Sequence, residues 1–147
     1  MNKYMSMALQ EAQNAMNQNE IPIGCVLAHH NSNLIFKSYN TVEKNHNALQ
    51  HAEINTIQQA IQATKQKYLT DFDIYITLEP CYMCAHAISL VKIPNIFFGA
   101  YNHQTGAISN QFNLYHHSIY KPNYFGGICE LQCKKLLDIF FSKKRNQ

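Results

Sequence analysis

Apolar side chains recur every three or four residues in four parts of the chain, which is the spacing of a helix that buries one face. The predicted helices cover residues 3–18, 51–65, 82–91 and 130–143. The apolar side of the last helix carries Cys133, Leu136, Leu137, Phe140 and Phe141. Because helical spacing of this kind is typical of core packing, the two phenylalanines have a purely structural interpretation as well as a functional one.

Short apolar runs between these helices predict β-strands. The runs cover residues 21–28, 34–39, 74–78 and 95–100. The turn-forming sequence Asn31-Ser32-Asn33 joins the first two strands, which predicts a β-hairpin. Residues 101–127 are predicted to be irregular, since Gly106, Pro122 and Gly126-Gly127 interrupt them.

The order of these elements indicates the fold class. A helix and a hairpin are followed by alternating helices and strands, which favours a layered α/β fold with a mixed sheet. The sequence contains no linker, internal repeat or low-complexity block. Residues 1–147 are therefore predicted to form a single domain.

Composition and charge narrow the possible environments and partners. Hydrophobic residues make up 46% of the 147 residues, which excludes a disordered chain, and no apolar run approaches the ~18 residues of a membrane span. The formal net charge of +3 permits a polyanionic partner without the basic density of an obligate nucleic-acid binder. The first residues form an amphipathic pattern unlike a signal peptide, so we expect a cytoplasmic protein. In that reducing compartment, the five cysteines favour metal binding over disulfides.

Two short segments carry residues suited to metal chemistry: His51-Ala52-Glu53 and Pro80-Cys81-Tyr82-Met83-Cys84. Cys81 and Cys84 share a face of the opening helical turn, where a helix N-terminus favours the metal-binding thiolate. With His51 they make three zinc ligands, which leaves one tetrahedral position open. An open position is typical of catalytic zinc, which lowers the pKa of a bound water toward ~7.

Glu53 is the predicted proton carrier. Residues two apart diverge in the middle of a helix, but at the first turn both side chains can flank an atom beyond the helix end. His51 and Glu53 therefore fit one site only if the metal lies at the helix N-terminus. The combined pattern H-x-E…P-C-x-x-C is the signature of zinc-dependent nucleobase deaminases.

Alternative interpretations exist for the cysteines. Cys81 and Cys84 by themselves fit a redox pair, or half of a structural zinc site completed by Cys129 and Cys133. Neither alternative explains His51-Ala52-Glu53. Cys25 and Cys133 are also typical of small buried hydrophobic residues.

The chain resembles the bacterial tRNA-specific adenosine deaminases of the cytidine-deaminase-like superfamily. The zinc segments are common to the superfamily, whereas two further segments resemble the tRNA branch. These are Phe98-Gly99-Ala100 with Thr105-Gly106-Ala107, and the ending Leu136 to Arg145 with its Phe-Phe pair and basic residues. The resemblance implies a three-layer α/β/α sandwich around a five-stranded mixed sheet, one zinc ion per chain, and a homodimer. Apolar residues of the third helix could supply the dimer contact: Tyr82, Met83, Ile88 and Leu90.

The resemblance also implies a function: hydrolytic deamination of adenosine to inosine at the wobble position of a tRNA anticodon. It assigns zinc to His51, Cys81 and Cys84, and proton transfer to Glu53. Contacts with the anticodon stem-loop fall on Asn40, Phe141, Lys143, Lys144 and Arg145. Asn40 also fits a turn residue after the second strand, and Phe140 and Phe141 also fit core positions.

Three segments depart from the family pattern. Asn47-Ala48-Leu49-Gln50 replaces the usual Asp-Pro-x-Ala, Asn102-His103-Gln104 replaces Asp-x-Lys, and residues 120–127 are short. These changes spare the predicted zinc site but touch the pocket walls. Two rival interpretations stay open. The protein could be a deaminase of a free base or nucleoside such as guanine or cytosine, or a catalytically inactive zinc-binding RNA module. Glu53 argues against the inactive module, which would not need a proton carrier.

Overall fold

The computed structural model describes residues 2–147, which form a five-stranded sheet flanked by four helices. The helices are α1 Lys3–Asn17, α2 Ala52–Thr64, α3 Tyr82–Leu90 and α4 Glu130–Arg145. The strands are β1 Gly24–His29, β2 Ile35–Tyr39, β3 Phe72–Leu78, β4 Asn95–Ala100 and β5 Asn123–Phe125. A single 3₁₀ turn, Leu114–His116, precedes β5.

The sheet is mixed, with the order β2-β1-β3-β4-β5. β1 pairs antiparallel with β2 and β3, and β3, β4 and β5 run parallel. Because successive side chains of a strand point to opposite faces, the sheet carries two cores. Cys25 and Leu27 pack with α2 and α3, while Val26 and Ala28 pack toward α1 and α4. The predicted three-layer α/β/α sandwich with a five-stranded mixed sheet is confirmed.

Helix α1 lies directly against β1 at Gly24. A Cβ atom at this position would lie 1.9 Å from the carbonyl oxygen of Ala8 and 2.6 Å from the amide nitrogen of Ala12, so only glycine fits. The chain reverses between α1 and β1 through Asn19, which adopts a left-handed φ of 60°. This reversal carries the buried Glu20 into the site described below.

The structure departs most clearly from the sequence prediction at β5 and at the start of β1. β5 lies within residues 101–127, which the sequence predicted to be irregular. Its three residues are all exposed and therefore show no alternation of burial. β1 begins at Gly24 rather than at residue 21, because Pro22 has no N–H group for a ladder hydrogen bond. Within residues 2–147, no helix combines the length and apolar character needed to cross a membrane.

Candidate active site

The N-termini of α2 and α3 meet at one edge of the sheet. His51 is the residue before α2, and Cys81 is the residue before α3, with Cys84 in the first turn of that helix. Strand β3 ends at Leu78, so the segment Glu79-Pro80 delivers Cys81 to the carboxyl end of the parallel strands. That edge is where ligands bind in open α/β sheets.

The geometry of these side chains fits a zinc ion. Nδ1 of His51 lies 3.6 Å from Sγ of Cys81 and 3.5 Å from Sγ of Cys84. Bond lengths of about 2.3 Å to sulfur and about 2.1 Å to nitrogen place these atoms about 3.6 Å apart in a tetrahedral zinc site. All three ligand atoms lie within 4.8 Å of one another. Among residues 2–147 this is the one cluster of three or more potential metal ligands, and it includes neither Cys129 nor Cys133.

The three side chains perturb one another's protonation. Hydrogen bonding from Cys84, together with His51, lowers the pKa of the Cys81 thiol to about 4. The same contact with Cys81, and burial, raise the pKa of Cys84. Hydrogen bonding to Cys81 raises the pKa of His51. The cluster therefore already stabilises one thiolate, which is the form of cysteine that binds metal.

Glu53 lies next to the cluster in the first turn of α2, and its side chain is only 4% exposed. Burial raises the pKa of its carboxyl to about 7. Cys25 of β1 and Thr56 of α2 are fully buried nearby. His51 and Glu53 both lie at the N-terminal end of α2 and line the same cleft, which is compatible with the sequence interpretation.

A cleft of about 1160 Å³ extends from this cluster to the C-terminal helix. Its floor includes His51, Glu53 and Cys81, and its far end includes Phe141 and Lys144 of α4. Two buried carboxylates, one in each wall, hold the loops that shape it.

Glu20 belongs to the first wall and is completely buried. Its carboxylate accepts hydrogen bonds from the backbone N–H of Glu43 at 3.0 Å and of Lys44 at 2.6 Å. It also accepts one from Nδ2 of Asn40 at 3.4 Å. Asn40 is 4% exposed and lines the cleft directly after β2. The loop that follows β2 is therefore attached to Glu20.

Glu79 holds the opposite wall. Its carboxylate accepts hydrogen bonds from the N–H groups of Asn102, Ile108 and Ser109, at 3.1, 3.0 and 2.8 Å. Gly106 lies against it, and a Cβ there would come within 2.5 Å of the carboxylate. The Thr-Gly-Ala segment therefore requires glycine, because the loop wraps tightly around a buried acid.

Comparison with known proteins identifies the family. Residues 1–100 match the family model of the cytidine and deoxycytidylate deaminase zinc-binding region. The chain is 38% identical to the tRNA-specific adenosine deaminase of Rickettsia typhi over 145 residues, covering 97% of this chain and 98% of the relative. Identity with the tRNA-specific adenosine deaminase of Agrobacterium fabrum is 35% over 147 residues, covering 97% and 94%.

The chain belongs to the tRNA-specific adenosine deaminase family.

One solved structure supports this assignment, and a more distant one shares the fold. A structure from work on A-to-I editing by tRNA:A34 deaminases at the wobble position of transfer RNA matches this deaminase with a TM-score of 0.86 at 33% identity. The match covers 91% of this chain and 98% of that chain. A guanine deaminase from Nitrosomonas europaea has a TM-score of 0.83 at 15% identity, covering 95% and 83%, and shares the fold.

The C-terminal residues of the deaminase separate into different environments. Phe140 is 8% exposed, whereas Phe141 is 42% exposed, and both line the cleft. Lys144 also lines it, and with Arg145 it lines an adjoining depression. Lys143 is exposed, and within the described residues it lines neither of these two surfaces.

Glu20 and Glu79 were not predicted as site residues. Glu20 follows the polar run Asn17-Gln18-Asn19 at the end of α1, and Glu79 directly follows the last residue of β3, so each has the appearance of an ordinary acid at the end of an element. Beside the apolar strand β3, the acid Glu79 is a usable signal, because a buried carboxylate requires several hydrogen-bond donors, whereas the polar neighbours of Glu20 give no such signal. The donors here are backbone N–H groups of distant loops, which no sequence pattern reveals.

Proposed function

We propose that this deaminase converts adenosine to inosine at the wobble position of a tRNA anticodon, acting in the cytoplasm. The main support is the cleft, which continues from the His/Cys/Cys cluster to the basic end of α4. Sites for small molecules occupy about 300–1,000 Å³, so a cleft of about 1160 Å³ leaves room beyond a single base. The names of the similar proteins support the same reaction.

Within this proposal, His51, Cys81 and Cys84 hold the zinc ion. When bound, zinc supplies a Lewis acid that activates water as a nucleophile near neutral pH. The donor set of one imidazole and two thiols suits zinc, and three protein ligands are typical of catalytic rather than structural sites.

Glu53 moves the protons of the reaction. Attack of water at C6 of adenine requires that one proton leave the water and that one reach the ring. Glu53 takes one proton of the attacking water and delivers it to N1 of adenine. It then moves the remaining proton, on the new C6 hydroxyl, to the amino group, so that the C6–N bond breaks, ammonia leaves and a C6 carbonyl forms. Its location beside the ligand cluster, in a buried pocket open to the cleft, supports this role.

The target adenosine must leave the stacked anticodon loop to reach Glu53, since the ring edge is otherwise covered. We propose that Asn40 contacts the extruded nucleotide and that Phe141 stacks on a neighbouring base. Lys144 and Arg145 hold backbone phosphates at the end of α4. This division follows from their positions along the cleft.

Substitution of the basic residues should show which of them contact phosphates and which only add positive charge to the protein. The pair Lys144→Ala and Arg145→Ala should weaken tRNA binding and reduce the slope of log K against log salt by roughly 0.7–0.9 for each lost contact. Lys143→Ala is the matched control, because it removes a cation from the same helical turn but outside the cleft. Equal slopes for the double variant and the control would contradict the assignment.

Substitution of Phe141 should affect binding of the stem-loop, whereas substitution of Phe140 should affect the stability of the fold. Phe141→Ala should weaken binding of the stem-loop by about 1–3 kcal/mol, the range for loss of one base–aromatic stack, with little change in the free energy of unfolding. Phe140→Ala should instead reduce the free energy of unfolding by about 3–5 kcal/mol, because it empties a buried position. Thermal unfolding and binding titration of each variant measure the two effects, and a stability loss confined to Phe141→Ala would reverse the roles.

The nearest rival is a deaminase of free bases or nucleosides, a reaction class that shares this fold. An anticodon stem-loop with adenosine at the wobble position tests the proposal against free adenosine, guanine and cytosine under the same conditions. We expect efficient conversion of the stem-loop alone. Efficient conversion of a free base, with none of the stem-loop, would favour the rival.

We further propose that the deaminase is a homodimer, as the family resemblance implies. Tyr82 and Leu90 of α3 are 41% and 60% exposed and remain available for such a contact, whereas Ile88 is fully buried in the core and is not. Light scattering should give a mass of two chains at micromolar concentration. Leu90→Glu should shift this mass toward one chain, and a single-chain mass for the unmodified protein at all concentrations would contradict the dimer.

A further inference from the structure

Glu20 is a fully buried acid that forms no ion pair with the described residues 2–147. A buried carboxylate without a cation is costly unless hydrogen-bond donors surround it. Two donors are the backbone N–H groups of Glu43 and Lys44, and the third is the side-chain amide of Asn40. The third contact connects Glu20 to a residue that lines the cleft.

The contact between Glu20 and Asn40 has a defined polarity. An asparagine side chain offers a donor, Nδ2, and an acceptor, Oδ1, that are almost the same size, so sterics alone do not select between the two orientations. An ionised carboxylate only accepts hydrogen bonds. Glu20 therefore selects the orientation in which Nδ2 points toward it, with Oδ1 on the opposite side of the amide.

Backbone hydrogen bonds fix the main chain at both Glu20 and Asn40, so the two possible arrangements differ in the rotation of the Asn40 side-chain amide. The N–H of Asn40 donates to the carbonyl of Ile23 at 3.2 Å, and the N–H of Glu20 donates to the carbonyl of Ala15 at 2.9 Å. Both main-chain positions are thereby fixed to neighbouring elements. Among the described residues, none donates a hydrogen bond to Oδ1 of Asn40. Every fully buried side-chain oxygen in these residues has a hydrogen-bond partner, so Oδ1, which has none, is not fully buried. Oδ1 therefore reaches the cleft.

We propose that Glu20 is a positioning residue that orients the Asn40 amide so that its carbonyl oxygen accepts a hydrogen bond from an O–H or N–H donor of the target nucleotide. The proposal rests on the function proposed above, in which Asn40 contacts the substrate. Glu20 touches no substrate atom itself. It acts by disfavouring the flipped orientation of the Asn40 amide, in which Nδ2 instead of Oδ1 would face the donor of the nucleotide.

Glu20→Gln tests this orientation directly. In the native structure both carboxylate oxygens face donors, so the NH₂ group of the substituted amide must oppose a donor in either orientation. The ¹H–¹⁵N signals of the Asn40 side-chain NH₂, identified by their loss in Asn40→Ala, should shift and exchange faster with solvent in Glu20→Gln. Unchanged Asn40 signals would overturn the proposal, whether or not the protein deaminates tRNA.

Kinetics on the stem-loop provide the second test. Asn40→Ala and Glu20→Gln should each reduce kcat/KM on the order of 10- to 100-fold, as expected for loss of one buried hydrogen bond. The double variant should be about as active as Asn40→Ala alone, because Glu20 acts through Asn40. Multiplied losses in the double variant would show that Glu20 supports the fold independently and would overturn the positioning role.

Asp71→Asn is the matched control, since it removes one exposed carboxylate away from the cleft. Rates are normalised to zinc content, so partial unfolding of Glu20→Gln does not alter the comparison. An unmodified protein that is inactive on every stem-loop would contradict the proposed function, while the NMR experiment would still decide whether Glu20 orients Asn40.

Discussion

Glu53→Gln should abolish deamination while the protein keeps its fold and its zinc. Glutamine matches glutamate in shape and fills the same buried position, but it cannot take a proton from water and return it to the ring. General acid–base groups contribute about 10²–10⁴-fold to rate, and we expect a loss at the upper end because Glu53 serves both transfers. Single-turnover assays on the anticodon stem-loop measure this loss.

Three further measurements show whether Glu53→Gln loses activity without losing zinc, stability or tRNA binding. Zinc content, thermal unfolding and tRNA affinity of Glu53→Gln should stay close to those of the unmodified protein, since Glu53 is not among the clustered ligand atoms. Asp71→Asn is a suitable comparison, because Asp71 is exposed and lies away from the cleft. If Glu53→Gln retains nearly full activity, the proton-transfer role is wrong.

The double variant Cys81→Ala, Cys84→Ala should lose both zinc and activity. About one zinc per chain is expected in the unmodified protein, and removal of two of its three ligands leaves His51 alone, which cannot retain the ion through dialysis. We expect zinc near zero and deamination at background. The melting temperature should also fall, because a ligand that binds only the folded state stabilises it.

Cys133→Ala is the matched control for this experiment. Cys133 is buried among residues of α1, α4 and the sheet, in the layer opposite α2 and α3. Its replacement removes a thiol and some packing but no proposed ligand, so zinc should remain at about one per chain. Full zinc in the variant that lacks Cys81 and Cys84 would exclude these residues as ligands, and with them both the catalytic assignment and the structural-zinc alternative, since both use this pair.

Much of the fold was predictable because burial leaves a periodic pattern. The four helices and the strands β1 to β4 begin and end within three residues of their predicted limits, and their apolar residues form the two cores. β5 was not predictable from pattern, since its side chains are exposed and its position depends on pairing with Asn95 to Phe97 of β4. A strand held only by a neighbour leaves little signal in its own sequence.

The residues of the candidate site also fall into two groups, those that the sequence predicts and those that only the folded chain reveals. His51, Glu53, Cys81 and Cys84 follow from residue types at short, fixed spacings, and the structure brings the three ligand atoms together. The helical period grouped Phe140 with Phe141, yet adjacent residues point about 100° apart on a helix, and only Phe140 is buried. Glu20 and Glu79 act on loops more than twenty residues away, so only the folded chain reveals their partners.

The most direct test of the proposed function uses a total tRNA pool. The purified, zinc-loaded protein is incubated with unmodified tRNA, and cDNA sequencing then reads inosine as an A-to-G change. We predict changes at the first anticodon position of tRNAs that carry adenosine there, absent with Glu53→Gln and absent at other adenosines. A pool that remains unchanged, while the same preparation deaminates a free base or nucleoside, would contradict the assignment to tRNA.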